Sequence, residues 1–157
     1  MELKISKKVI TPLNNWLEKN GFATTCETIK KRMCYQPEED IIYFPRKFDE
    51  RGESLFIQCM RNLGLRYDFD NITLSFLHEL GHAQTAPLFT TREWNAFNED
   101  KESQSITLDE NDDRFYLDYW ELKDELAANT WAVLYANCCP EKVQKLEDII
   151  GQYIKFG

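Results

Sequence analysis

The segment Ser75-Phe76-Leu77-His78-Glu79-Leu80-Gly81-His82-Ala83 holds both histidines of the chain, four residues apart, with a glutamate directly after the first. On a helix turning roughly 100° per residue, His78 and His82 stand about 40° apart and one turn above each other. Two imidazoles so placed can meet one cation at the ~2.0–2.1 Å of a zinc–nitrogen bond. Glu79 is offset from both, so its carboxylate can reach a metal-held water without itself becoming a ligand. The same wheel turns Ile72, Phe76, Leu80 and Ala83 to another face, available for a core. Random placement produces this pattern in roughly one chain in a thousand. A metal site is therefore favoured over two histidines buried for packing alone.

A catalytic zinc takes three protein ligands and keeps one position open. No third histidine exists, so a carboxylate or thiolate must complete the set. The best source is the segment Tyr119-Trp120-Glu121-Leu122-Lys123-Asp124-Glu125-Leu126-Ala127-Ala128-Asn129-Thr130-Trp131-Ala132. Its polar strip is Lys123, Thr130 and Asn137, and Glu121, Asp124 and Glu125 fall away from that strip, which implies burial. Buried carboxylates are costly unless paired or coordinated, and Glu121 and Glu125 at i,i+4 repel each other. A divalent cation relieves both problems. Glu125 is the favoured ligand and Glu121 the alternative, with a salt bridge as the role of whichever is not used. Asn129, one turn beyond Glu125, can orient a ligand histidine. Tyr116, Tyr119, Arg92 and Arg114 are the candidates for stabilising a developing oxyanion.

These residues need elements to hold them. Thr11-Pro12 to Asn20-Gly21 reads as a short helix with a first-turn proline and a glycine stop. Thr24–Met33 is a candidate strand, and Asp40–Phe44, closed by Pro45, a clearer one. That second strand is either a sheet edge beside the site, able to pair with an extended substrate, or an interior strand. Glu53–Leu63 has helical period, with Leu55, Phe56, Cys59 and Met60 on one stripe. A helix over Asp68–Gln84 begins at a cap residue, Asp70 or Asn71. Residues 86–113 are polar and aperiodic, the pattern of a lid or mobile insertion. Phe115–Ala136 reads as a long, mostly apolar helix. Pro140 opens a last one, with Val143, Leu146, Ile149, Ile150, Tyr153 and Ile154 on one side. The order predicts one α+β domain over 1–157, mainly helical with a small β-sheet.

Composition narrows the function classes. The 157 residues are 43% hydrophobic and 13% aromatic, enough for one packed domain. Nineteen Lys and Arg against 27 Asp and Glu give a net charge of −8. A surface this acidic disfavours nucleic acid and anionic membranes as main partners. No apolar run approaches the roughly 18 residues of a membrane span, and the charged start lacks the pattern of an export signal. Five cysteines without a Cys-x-x-Cys spacing read as reduced, mostly buried thiols. A cytoplasmic setting follows as an expectation, while oligomeric state is not legible.

His78-Glu79-Leu80-Gly81-His82 resembles the active-site helix of zincin (HExxH) metallopeptidases. Glu125-Leu126-Ala127-Ala128-Asn129-Thr130-Trp131-Ala132 is similar to the Glu-x-x-Ala-Asn-x-Phe-Ala helix of ImmA/IrrE-type peptidases, with the zincin-like domain of ArdC-type antirestriction proteins as a second relative. The likeness covers residues 37–137 in order of elements. It implies a zincin-like fold of gluzincin type with His78, His82 and Glu125 as ligands of Zn²⁺ and Glu79 as catalytic acid/base. The activity implied is hydrolysis of a protein or peptide substrate. The alternative is a catalytically silent binding or regulatory protein of antirestriction or repressor-interacting type.

Overall fold

Leu3 and Ile5 alternate with Glu2 and Lys4, and that period of two makes Glu2–Ile5 a strand, β1, with its apolar pair buried. The computed structural model describes residues 2–29, 32–49, 53–90, 92–99 and 122–156. A 3-10 turn over Lys7–Val9 leads from β1 into α1, Ile10–Lys19. Pro12 falls in the first turn, where its missing N–H breaks no helical bond, and the chain leaves through Gly21 at φ +83°. Strands β2 (Thr25–Ile29), β3 (Cys34–Gln36), β4 (Ile41–Pro45) and β5 (Lys47–Asp49) precede helices α2 (Glu53–Asn62) and α3 (Asn71–Thr85). Helices α4 (Lys123–Cys138) and α5 (Pro140–Gly151) and strand β6 (Ile154–Phe156) complete the described chain.

The strands form two three-stranded sheets, β5-β1-β6 and β2-β4-β3. The first is antiparallel throughout, whereas in the second β4 runs parallel to β2 and antiparallel to β3. The architecture is α+β, with two sheets where the sequence predicts one. Strands β1, β3, β5 and β6 span three or four residues each. That is too short for a period of two to stand out from neighbouring charges. Tyr153 and Ile154, read as the end of the last helix, leave it instead, and Ile154 enters β6 opposite Ile5.

Segment 40–44 proves interior rather than an edge. Strand β4 lies between β2 and β3, with Ile42 and Phe44 buried and the Phe44 ring 6.0 Å from that of Phe76 on α3. Asp40, at φ 54°, turns the chain into β4 and accepts hydrogen bonds from Thr24 Oγ1 (2.7 Å) and Tyr35 Oη (2.8 Å). Along β2 the Asn14 side chain of α1 bonds both the N–H and the carbonyl of Cys26, satisfying backbone groups on an edge that no strand covers among the described residues.

The core gathers Leu13, Trp16 and Leu17 of α1, Phe76 and Leu80 of α3, Ala132 and Ala136 of α4, and Val143, Leu146 and Ile150 of α5. Trp16 Nε1 donates to the Lys142 carbonyl at 3.0 Å, so burial of the indole leaves its N–H satisfied. Of the cysteines only Cys26 is buried; Cys34, Cys59 and Cys139 are half-buried and Cys138 is exposed. The start of 86–113 is structured, with a 3-10 turn at Ala86–Leu88 and a helical stretch over 92–99. There Phe89, Trp94 and Phe97 meet edge-to-face and Phe97 is buried. The rest of that segment, and Phe115–Glu121 of the expected long helix, lie outside the described residues. No helix among the described residues is long and apolar enough to cross a membrane.

Candidate metal centre

The site is made by two helices, and each is started by identifiable chemistry. Asp70 caps α3, its carboxylate accepting from the Thr73 N–H at 2.9 Å, an arrangement worth about 1 kcal/mol. Helix α4 carries Asp124 and Glu125 in its first turn, where the unpaired N–H groups favour negative charge. Both acids are buried, as their place off the polar strip predicts. The exposed face of α4 also carries Leu126 and Leu134, so it is less polar than the strip alone suggests.

Helices α3 and α4 run antiparallel, with His78 opposite Asn129 and His82 opposite Glu125. Gly81 explains how close they come. A Cβ built on Gly81 would lie 2.4 Å from the Ala128 carbonyl oxygen, inside any allowed contact. Glycine costs a helix interior about 1 kcal/mol relative to alanine. Here it lets backbone meet backbone, and the side chains on either side are drawn within reach of one another.

The donor atoms converge. Glu125 Oε2 is 2.7 Å from His78 Nε2 and 3.0 Å from His82 Nε2. The two imidazole rings stand nearly perpendicular, at 83°, with centroids 4.6 Å apart. His78, His82 and Glu125 could together hold a metal ion. The three donor atoms lie within 4.8 Å of one another, the neighbourhood that one ion with bonds of about 2.0–2.2 Å requires. The donor set fits: two imidazoles and one carboxylate suit a borderline cation such as zinc.

The surroundings orient these groups. Asn129 Oδ1 accepts from His78 Nδ1 at 2.6 Å, which turns Nε2 towards Glu125. Phe56 of α2 meets the His78 ring edge-to-face, with centroids 6.0 Å apart. Burial opposes charge on His78, but the Glu125 carboxylate, with Glu79 and the Asn129 hydrogen bond, outweighs it and lifts the ring's pKa to about 9. Burial likewise pushes Glu125 up, yet the His82 and His78 rings prevail and hold it well below the usual carboxylate range.

Glu79 is half-buried on α3, and its charge also raises the His78 pKa. It acts on Cys34 of β3 as well: burial and then the Glu79 carboxylate push that thiol's pKa up. Strand β3, an edge of its sheet among the described residues, packs against α3, the helix that carries Glu79. Glu121, Tyr116, Tyr119 and Arg114 lie outside the described residues, and Arg92 sits exposed in the 92–99 helix. Gly81, Phe56 and Cys34 were not assigned a place at the site from sequence. A glycine inside the His-x-x-x-His turn is the one signal that could have flagged a close helix approach.

No protein family, curated protein or solved structure matches this chain.

Proposed function

We propose that the chain is a zinc-dependent metallopeptidase that hydrolyses peptide bonds with Glu79 as general acid/base. The observation that carries this reading is the convergence of two imidazole nitrogens and one carboxylate oxygen at 2.7–3.0 Å, with Glu79 adjacent in sequence to His78. Zinc held there would supply an acidified water and an electrophile for the scissile carbonyl. His78, His82 and Glu125 are the residues that would hold it. Asn129 keeps the His78 ring in the tautomer that leaves Nε2 free to ligate.

Glu79 takes the proton of the attacking water and delivers it to the leaving amine. A glutamate is not required at that position for metal binding alone. Its presence beside the first ligand favours turnover over a silent metal-holding module. The implied substrate is a protein or peptide, and β3, an edge strand among the described residues, gives it a backbone to pair with.

Glu79→Gln separates the readings. On a library of fluorogenic peptides at saturating zinc, cleavage should fall by about 10²–10⁴-fold while zinc content and thermal unfolding stay unchanged. Cleavage that persists at the original rate would remove Glu79 from the chemistry. A wild-type protein that holds zinc and cleaves nothing would instead favour a binding or regulatory role.

A further inference from the structure

Helix α4 lacks charge even on the side it shows to water. Residues 126–140 contain no Asp, Glu, Lys or Arg, although 29% of the chain is charged. A helix that is apolar on every side is normally buried on every side. Here Leu126, Thr130, Leu134 and Cys138, each four residues from the next, are exposed, Leu126 to 41% and Leu134 to 58%. The loop after α2 joins that side. Asn137 Nδ2 donates to the Gly64 carbonyl at 2.9 Å, and Asn137 Oδ1 accepts from the Arg66 N–H at 3.0 Å. Leu63 and Tyr67 flank this pinned stretch and are exposed, with Arg66 at the margin. Apart from Leu88, every large hydrophobic side chain exposed among the described residues thus belongs to α4 or to the loop held at its end.

A concentration of exposed apolar side chains marks an interaction surface. The α4 stripe carries no charge, so a partner recognised by charge finds nothing there to pair with. Its side chains alternate large and small: Leu126, Thr130, Leu134, Cys138. Turned end for end about residue 132, the stripe meets its own complement. Leu134 then faces Thr130, and Leu126 faces Cys138. Large against small is how opposed side chains interdigitate, whereas a parallel copy in register would set leucine on leucine. The charges beyond the stripe follow the same symmetry. Lys123 precedes it by three residues, Glu141 follows it by three, and both are exposed.

We infer that this face binds a second copy of the chain, the two α4 helices lying antiparallel about a two-fold axis at the level of Ala132. Each copy carries a net charge of −8, so repulsion between copies is least where the facing surfaces are uncharged. Lys123 of each copy then approaches Glu141 of the other. Glu125 and Asn129 are buried against α3 on the other side of α4, so the contact leaves the metal centre intact and does not depend on it.

Sedimentation equilibrium of the full chain over about 1–200 µM should show the mass rise from 18.6 kDa towards twice that value. Leu134→Glu buries a charge in the contact and should weaken association at least about tenfold, with the thermal midpoint of dilute protein unchanged. Mild oxidation with diamide reads the arrangement. The thiol introduced by Leu126→Cys should form a disulfide with Cys138 of the second copy, and Leu126→Cys/Cys138→Ser should lose that crosslink. In the wild type the two Cys138 thiols are separated by about 18 Å along the helices and should not join. The inference is overturned by a wild type that stays at 18.6 kDa throughout, which would leave the face to a different protein. It is equally overturned if Leu134→Glu associates as tightly as the wild type, or if the crosslinks join Cys138 to Cys138.

Discussion

The α3–α4 pair and the β5-β1-β6 sheet handle charge in opposite ways. Between the helices, His78, His82, Glu125 and Asn129 are buried, and each pairs with another member of the set. On the sheet, Lys4, Lys47 and Lys155 face water in a row of one sign. Burial makes an unmatched charge expensive, so the helix pair can keep its polar groups only as a matched set. Solvent screens the sheet's repulsion, which lets a mismatch persist at small cost. Substitutions in the two regions should therefore differ in size and in sign.

The largest effect is expected at Gly81. Gly81→Ala places a methyl group against the Ala128 carbonyl and must push α3 from α4. A loss of about 3 kcal/mol or more in unfolding free energy should appear in urea denaturation, with zinc binding weakened in parallel. Unchanged stability would show that the helices do not need their close approach.

Asn129→Ala should be milder. It removes the acceptor that turns His78 and leaves a buried Nδ1 without its partner. Zinc affinity, measured by competition with a chromogenic chelator, should drop about 10–100-fold. An unaltered affinity would make the Asn129 contact incidental. Lys4→Gln should give the smallest change and the opposite sign. Removing the middle charge should stabilise by a few tenths of a kcal/mol, up to about 1, read as a slightly higher thermal midpoint at low salt that fades at high salt. A destabilised Lys4→Gln would mean that the row is held by an attraction rather than tolerated.

The same contrast decides what could be read from sequence. The pairing of His78 with His82 was legible because a period of 3.6 over 15 residues converts spacing into geometry, whereas Glu125 rested on its expected burial, with Glu121 as the alternative. Burial of Asp124 and Glu125 followed from their position off the polar strip of α4. The lysine row was not legible, because register between β1, β5 and β6 is set by pairing across more than 40 residues of chain. The interior position of β4 was undecided for the same reason, since β3 as its neighbour was invisible at three residues. The 92–99 helix was missed because Phe89, Trp94 and Phe97 are spaced among polar residues, without a sustained apolar face.

Elemental analysis of protein produced without a histidine tag and dialysed against dilute zinc tests the metal centre most directly. The account predicts about one zinc per chain in the wild type and little or none in His82→Ala and Glu125→Ala. A zinc-free wild type, or full occupancy in the Glu125→Ala variant, would contradict it.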